Sequence, residues 1–291
     1  MKKKYNMIIN IINIYIYMDN INKIFIKTYH DNGNLYEDYS IITNNNNNNN
    51  DNDIDGKYYE YYENSKMKIE TTFINGKNEG KYIEYYNNGN IYKECIYIND
   101  KIDGLYKIYY ENGNIMKEIN YVNGIKNGIY KSYHENNIVN EVCKYIDNKI
   151  EGEFISYHEN KTIKCIINYK NNLKHGIYKV YYDNMQLKIE TNYFNDQINE
   201  KYISYYENGV IHESTNYING NINGIFTLYF TDGKKEAKEI YKNGILDGIS
   251  ILYHYNGRPQ LKTRYINGEN DGYIEYSKGG RIIEEHDWLR D

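Results

Sequence analysis

Residues 104–127 read GLYKIYYENGNIMKEINYVNGIKN, and from Gly128 the phrase restarts as GIYKSYHENN. How this stretch is read decides the fold. With Gly104 as column 0, the same glycine returns at Gly56, Gly80, Gly128, Gly152, Gly176, Gly224, Gly248 and Gly272, and Glu200 fills the remaining slot. Nine full units of 24 residues therefore occupy 56–271. A fixed period of this length marks an array in which each unit buries its apolar face against its neighbours. Outside it the sequence divides into an N-terminal extension (1–23), a divergent first repeat (24–55) and a partial repeat with a charged cap (272–291) that contains Trp288. The run of asparagines at 44–50 sits where other units have a short turn, and reads as a low-complexity insertion into a loop tip.

The columns carry the structural expectation. Column 5 is tyrosine in every full unit: Tyr61, Tyr85, Tyr109, Tyr133, Tyr157, Tyr181, Tyr205, Tyr229 and Tyr253. Column 17 is always aromatic, from Phe73 to Tyr265, and column 2 is Tyr or Phe from Tyr58 to Phe226. Columns 8 and 19 hold Asn or Asp, often followed by Gly, as in Asn112-Gly113 and Asn123-Gly124. Asn-Gly between segments rich in aromatic and β-branched residues predicts a two-residue type I′ hairpin turn, because both central residues need φ > 0. Two turns per unit predict an all-β chain: an elongated, single-layer antiparallel β-meander of about twenty short strands. Two-residue turns pair column 6 with 11, 2 with 15, 0 with 17, 17 with 22, and 15 with the next glycine. Columns 0, 2, 4, 6, 11, 13, 15, 17 and 22 then share one face, and column 5 lies on the other with the Ile and Val of column 18. The glycine of column 0, set under the ring of column 17, gains a packing reason.

The net charge of −5, with both signs interspersed, argues against a nucleic-acid binder, which would need a basic stripe. The start, MKKKYNMIINIINIYIYMDN, imitates a secretory leader, but Asn10 and Asn13 interrupt its apolar stretch and no small-residue cleavage site follows. We expect an extra strand there, or a start at Met18, and a cytoplasmic protein. Three cysteines suit a reducing compartment: Cys95 and Cys143 lie four strands apart, beyond disulfide reach.

No column reads as chemistry. Four of the seven histidines, His30, His134, His158 and His254, stand in column 6 as replacements for tyrosine rings. Successive units lie about 9.5 Å apart, too far for His134 and His158 to share a zinc ion. The carboxylates of columns 14 (Glu70, Glu94, Glu118, Glu190) and 23 (Glu79, Asp103, Glu151, Asp247, Asp271) form ladders, whereas catalysis needs one asymmetric constellation. They read as a solvated face balanced by lysines, and no nucleophile elbow, Walker loop or H-E-x-x-H is present. No cofactor or metal is expected.

The unit G-x-Y-x-x-Y-Y-x-N-G-x7-Y-x-N-G-x3 resembles the MORN repeat, and more closely the variant found in bacterial YwqK-type antitoxin proteins. Asn64-Ser65, Asn136-Asn137, Asn160-Lys161 and Asn184-Met185 depart from its first Asn-Gly, which predicts looser turns there. The resemblance implies a scaffold or interaction surface, in some members lipid association, and in the variant type neutralisation of a toxin. The expectation is a non-enzymatic scaffold that binds another protein along an aromatic-rich sheet face, with the column-5 tyrosines as exposed contacts. Alternatives are an antitoxin-like immunity protein and a peripheral phospholipid-binding adaptor; sheet edges at the ends also allow end-to-end self-association.

Overall fold

The computed structural model describes residues 4–9, 12–18, 23–42 and 53–287, the first two stretches by their backbone alone. The asparagine run at 44–50 and Trp288 lie outside the described residues. The chain divides into two compact units, Met1–Asn148 and Lys149–Asp291. Both consist of antiparallel strands, and the described residues contain no helix.

The repeat at 104–127 represents the pattern. Gly104–Tyr109 pairs with Ile115–Val122, which pairs in turn with Ile125–Tyr133. The second turn is the expected one: Asn123 and Gly124 both have positive φ (51° and 80°), and Val122 faces Ile125. The first turn is not. Tyr110 N–H donates to the Asn114 carbonyl (2.8 Å) and Gly113 N–H to the Tyr110 carbonyl (2.9 Å), and only Gly113 in this loop has positive φ. This is a three-residue loop, a type I turn closed by one left-handed residue. Asn-Gly satisfies either turn, because both need a left-handed conformation at the second residue.

The extra loop residue changes the register. Tyr109 faces Ile115, so column 5, not column 6, opposes column 11. Column 11 therefore moves to the face of the column-5 tyrosines. Column 6 instead packs on column 12, as Tyr86 does on Tyr92 (ring centroids 5.0 Å). The pairings of column 0 with 17 and 2 with 15 hold: Gly104 faces Tyr121 and Tyr106 faces Ile119. The pairing of column 15 with the next glycine fails. Ile119 faces Tyr130, because the register slips by two residues between Tyr121↔Lys126 and Ile119↔Tyr130. A two-residue bulge keeps the side-chain parity, so the two faces are not exchanged.

That bulge explains the recurring glycine of column 0, whose one replacement, Glu200, also has positive φ (73°). Gly104 has φ +95° and Gly128 φ +133°. A Cβ on Gly104 would meet nothing within 4 Å, so no ring excludes a side chain there. On Gly128 it would stand 2.9 Å from Cβ of Asn120, a column-16 side chain. Backbone conformation, rather than the ring of column 17, sets the requirement.

The apolar interior is thin and lies mostly on one face, with Ile83 (7% exposed) buried on the other. Column 15 provides its floor: Cys95, Ile119, Cys143 and Thr191 are each only 3% exposed. Above it the rings of columns 2 and 17 meet edge to face, as in Tyr106–Tyr121 (5.7 Å, 66°) and Tyr202–Tyr217 (6.0 Å, 70°). This geometry suits the ring quadrupoles and leaves the hydroxyls at the rim.

Candidate interaction face

Most polar columns are used to join one repeat to the next. In column 6, Tyr62, Tyr86, Tyr110, Tyr182 and Tyr206 each donate their hydroxyl to the backbone carbonyl of column 5 one unit on, at 2.6–2.9 Å. His30, His158 and His254 set Nε2 against the equivalent carbonyl, at 2.9, 3.2 and 2.9 Å. These three imidazoles thus replace tyrosines, as the column predicted. In column 8 the asparagine does two jobs. Asn112 Oδ1 accepts from the Asn114 N–H (2.9 Å), and Asn88 Nδ2 donates to the Glu111 carbonyl of the next repeat (3.0 Å).

The column-23 carboxylates are braces rather than a merely solvated face. Glu79, Asp103 and Glu151 each accept from the backbone N–H that opens the following second turn, Asn99, Asn123 and Asn171, at 2.8 Å. Sequence reasoning missed the bonds made by columns 6, 8 and 23. Their common signal is a polar side chain whose partner stands about 20–23 residues downstream. Cys95, Cys143 and Cys165 are free thiols, and burial pushes the first two up to about 11, far from the range of a reactive thiolate. Among the described residues no group of three or more His, Cys, Asp or Glu could hold a metal ion. No described helix is long and apolar enough to cross a membrane.

The other face is built differently. The column-5 tyrosines Tyr61, Tyr85, Tyr109, Tyr133, Tyr157, Tyr181, Tyr205, Tyr229 and Tyr253 lie on it half-buried, not exposed as expected. Two of them bond a column-14 carboxylate of the preceding repeat, whereas Tyr157, Tyr181, Tyr229 and Tyr253 follow Val142, Ile166, Ser214 and Lys238 in that column and are half-buried without one. Tyr109 Oη donates to Glu94 Oε1 (2.5 Å) and Tyr133 Oη to Glu118 Oε1 (2.8 Å). Burial, then this bond, pushes the Tyr133 hydroxyl up to about 12. The bond from Tyr109, aided by Lys107, holds the Glu94 carboxyl below its usual value. Lysines of column 3 complete the row: Lys107 stands 3.4 Å from Glu94, and Lys179 3.0 Å from Glu190.

On one side of this charged row the face carries apolar residues open to solvent, and on the other lie the half-buried column-5 tyrosines. Columns 1, 16 and 18 expose Leu105 (42%), Ile129 (46%), Ile96 (47%), Ile98 (45%) and Val122 (48%) in the first unit. The second unit exposes Ile177, Phe194, Ile218 and Ile225 in the same columns. Scattered exposed isoleucines are ordinary on a protein surface; here they recur in the same columns, interspersed with Lys101, Asn120 and Lys144, and a recurring patch of this kind suits a contact surface.

A β-hairpin unit stitched to its successor by side-chain-to-carbonyl bonds, repeated at a constant step, defines an antiparallel repeat protein. The chain belongs to the family of the MORN repeat variant, which matches residues 54–75, 78–99, 102–123, 126–147, 150–171, 174–195, 201–219 and 222–243. The shortened seventh match begins just after Glu200, the residue in the glycine slot. No curated protein matches the chain. Among solved structures it is similar to a TcdB2-TccC3 crystal structure, at 10% identity and TM-score 0.22 over 93% of this chain. It is also similar to the Photorhabdus luminescens Tc holotoxin pore, at 13% identity and TM-score 0.19 over 90%. The chain spans 18% and 16% of those two chains, and at such TM-scores neither bears on its function.

Proposed function

We propose that this protein is a non-enzymatic scaffold that binds another protein along the face carrying the column-5 tyrosines. The observation behind this reading is the set of solvent-exposed apolar residues that recurs in columns 1, 16 and 18, beside tyrosines of which Tyr109 and Tyr133 have their hydroxyls already bonded. A ring held in place loses little entropy when a partner covers it, which suits an interaction surface. Most polar columns that might have supplied chemistry are engaged in joining repeats, so the repeat supplies a surface rather than a reaction centre. The carboxylates running through the same face disfavour insertion into lipid.

Affinity capture from the native source tests the reading. The chain is compared with a variant carrying Ile177→Ser, Ile225→Ser and Phe194→Ser, residues that project from the sheet without supporting it. A protein retained by the parent chain and lost from the variant is the expected result. Identical capture by both, or binding by the parent chain only to vesicles of anionic phospholipid, refutes it.

A further inference from the structure

We propose that the tyrosine-bearing face of the first unit docks on a second copy of this chain, through a two-fold axis that passes between Lys107 and Glu118. The proposal rests on reading that face as an interaction surface, and names its partner over residues 81–144. The middle row of the face alternates columns 3 and 14 on successive strands. From Ile83 it reads Ile83, Glu94, Lys107, Glu118, Lys131, Val142. Lys107 faces Glu118 across one strand pair, and Glu118 faces Lys131 across the next.

Reversed, the row is its own electrostatic complement. A two-fold axis parallel to the strands, centred between Lys107 and Glu118, sets Lys107 against Glu118 of the second copy and Glu94 against its Lys131. The row ends, Ile83 and Val142, are apolar in both copies, but Ile83 is already buried (7% exposed) and Val142 half-buried, so the outer rows supply the apolar contact. Such an axis keeps every row opposite itself, so the outer rows are fixed as well. Ile96 meets Ile129 of the second copy, Ile98 meets its Ile125, and Tyr109 meets its Ile115. Ile96, Ile98, Ile125 and Ile129 are 40–47% exposed in the single chain. Two like-charged residues oppose each other only at the rim, where Lys81 meets Lys144 of the second copy, and both are exposed. A two-fold interface must be self-complementary in this way, and a chance row of four alternating charges between Ile83 and Val142 has no such requirement.

The scale fits a modest dimer. Six strands about 4.8 Å apart, covered over about seven residues each, present roughly 650 Å² per copy. That approaches the roughly 800 Å² per partner of a standard interface. The step between repeats is also identical in the two copies, so contacts stay in phase along the whole patch. An unrelated globular partner could match it only locally.

Two single charge reversals in the full chain provide the test. Lys107→Glu sets the new carboxylate against Glu118 of the second copy, twice per dimer, and Glu118→Lys sets the new ammonium against its Lys107. Sedimentation equilibrium from about 1 to 100 µM, a range that spans weak specific dimers, should give a dimer for the parent chain and a monomer for each variant alone. Mixing the two variants should restore the dimer, because both appositions of position 107 with position 118 become opposite in sign. A folding defect in either variant could not be repaired by mixing, and far-UV circular dichroism checks that both remain β. A parent chain that is monomeric throughout overturns the proposal. So do variants that both still dimerise, or a mixture that stays monomeric. Capture of another protein through the second-unit residues Ile177, Phe194 and Ile225 is unaffected by either reversal. Loss of self-association and loss of partner binding are therefore separate results.

Discussion

At the scale of the residue, left-handed positions show what the repeat demands and how far a sequence can depart from it. Column 9 carries φ of 82–98° in units with glycine there. Ser65, Asn137, Lys161 and Met185 occupy the same slot at 65–71°, and their N–H groups make the same turn bond to column 6, at 2.9–3.0 Å. The turns expected to be looser are thus as closed as the others, and the misfit is held as backbone strain. A left-handed residue with a Cβ costs about 1–2 kcal/mol relative to glycine. Met185 is 68% exposed, so its side chain contributes little packing in return. Met185→Gly should therefore stabilise the chain by about 1 kcal/mol, less the extra freedom that glycine has when unfolded. Urea unfolding followed by circular dichroism measures it, and an unchanged or lower midpoint would show that the turn is not strained.

At the scale of the element, the hairpin is held to its neighbour by a few bonds that repeat. The hydroxyl of Tyr110 on the carbonyl of Tyr133 is one, at 2.8 Å, and the imidazole of His158 on that of Tyr181 is another, at 3.2 Å. Tyr110→Phe keeps the ring but leaves a half-buried carbonyl without its donor, and should lower stability by about 1 kcal/mol. Tyr110→His should cost less, because histidine already fills this column elsewhere. Equal losses for the two variants in denaturant unfolding would mean that ring packing, not the bond, matters in column 6.

This element also marks the limit of what the sequence shows. The second turn was legible because Asn123-Gly124, tight between strands, admits one geometry. The first was not, because Asn112-Gly113 serves a three-residue loop equally well, and only the pairing of Tyr109 with Ile115 distinguishes them. That single residue carried column 11 to the opposite face. The column-5 tyrosines were visible as a column, but their half-buried state was not. For Tyr109 and Tyr133 the hydroxyl bonds Glu94 and Glu118 in the preceding repeat, and such a contact appears only once the register is known.

At the scale of the whole molecule, stability built from nearest-neighbour contacts makes the unit of change the repeat rather than the residue. Deleting residues 104–127 joins Asp103 to Gly128 and returns every column to its place. The carbonyl lost from Tyr133 to Tyr110 is regained by Tyr86, one unit earlier, and the brace from Asp103 passes to the turn at 147–148. The shortened chain should keep its β spectrum, with a urea m-value lower by roughly a twelfth, in proportion to the surface removed. Deleting residues 113–124 removes half as many residues but should do more harm. It joins column 8 to column 21, reverses the direction of every later strand and leaves the bonds of columns 6 and 8 without partners at the junction. The larger deletion also shortens the charged row to Ile83, Glu94, Lys131 and Val142, which is still its own complement about an axis between Glu94 and Lys131. Self-association should accordingly weaken but survive in that chain, whereas a variant with Lys131→Glu added to the deletion should be monomeric by sedimentation. A deletion chain that dimerises equally well with or without the Lys131 change would mean that the row does not set the contact.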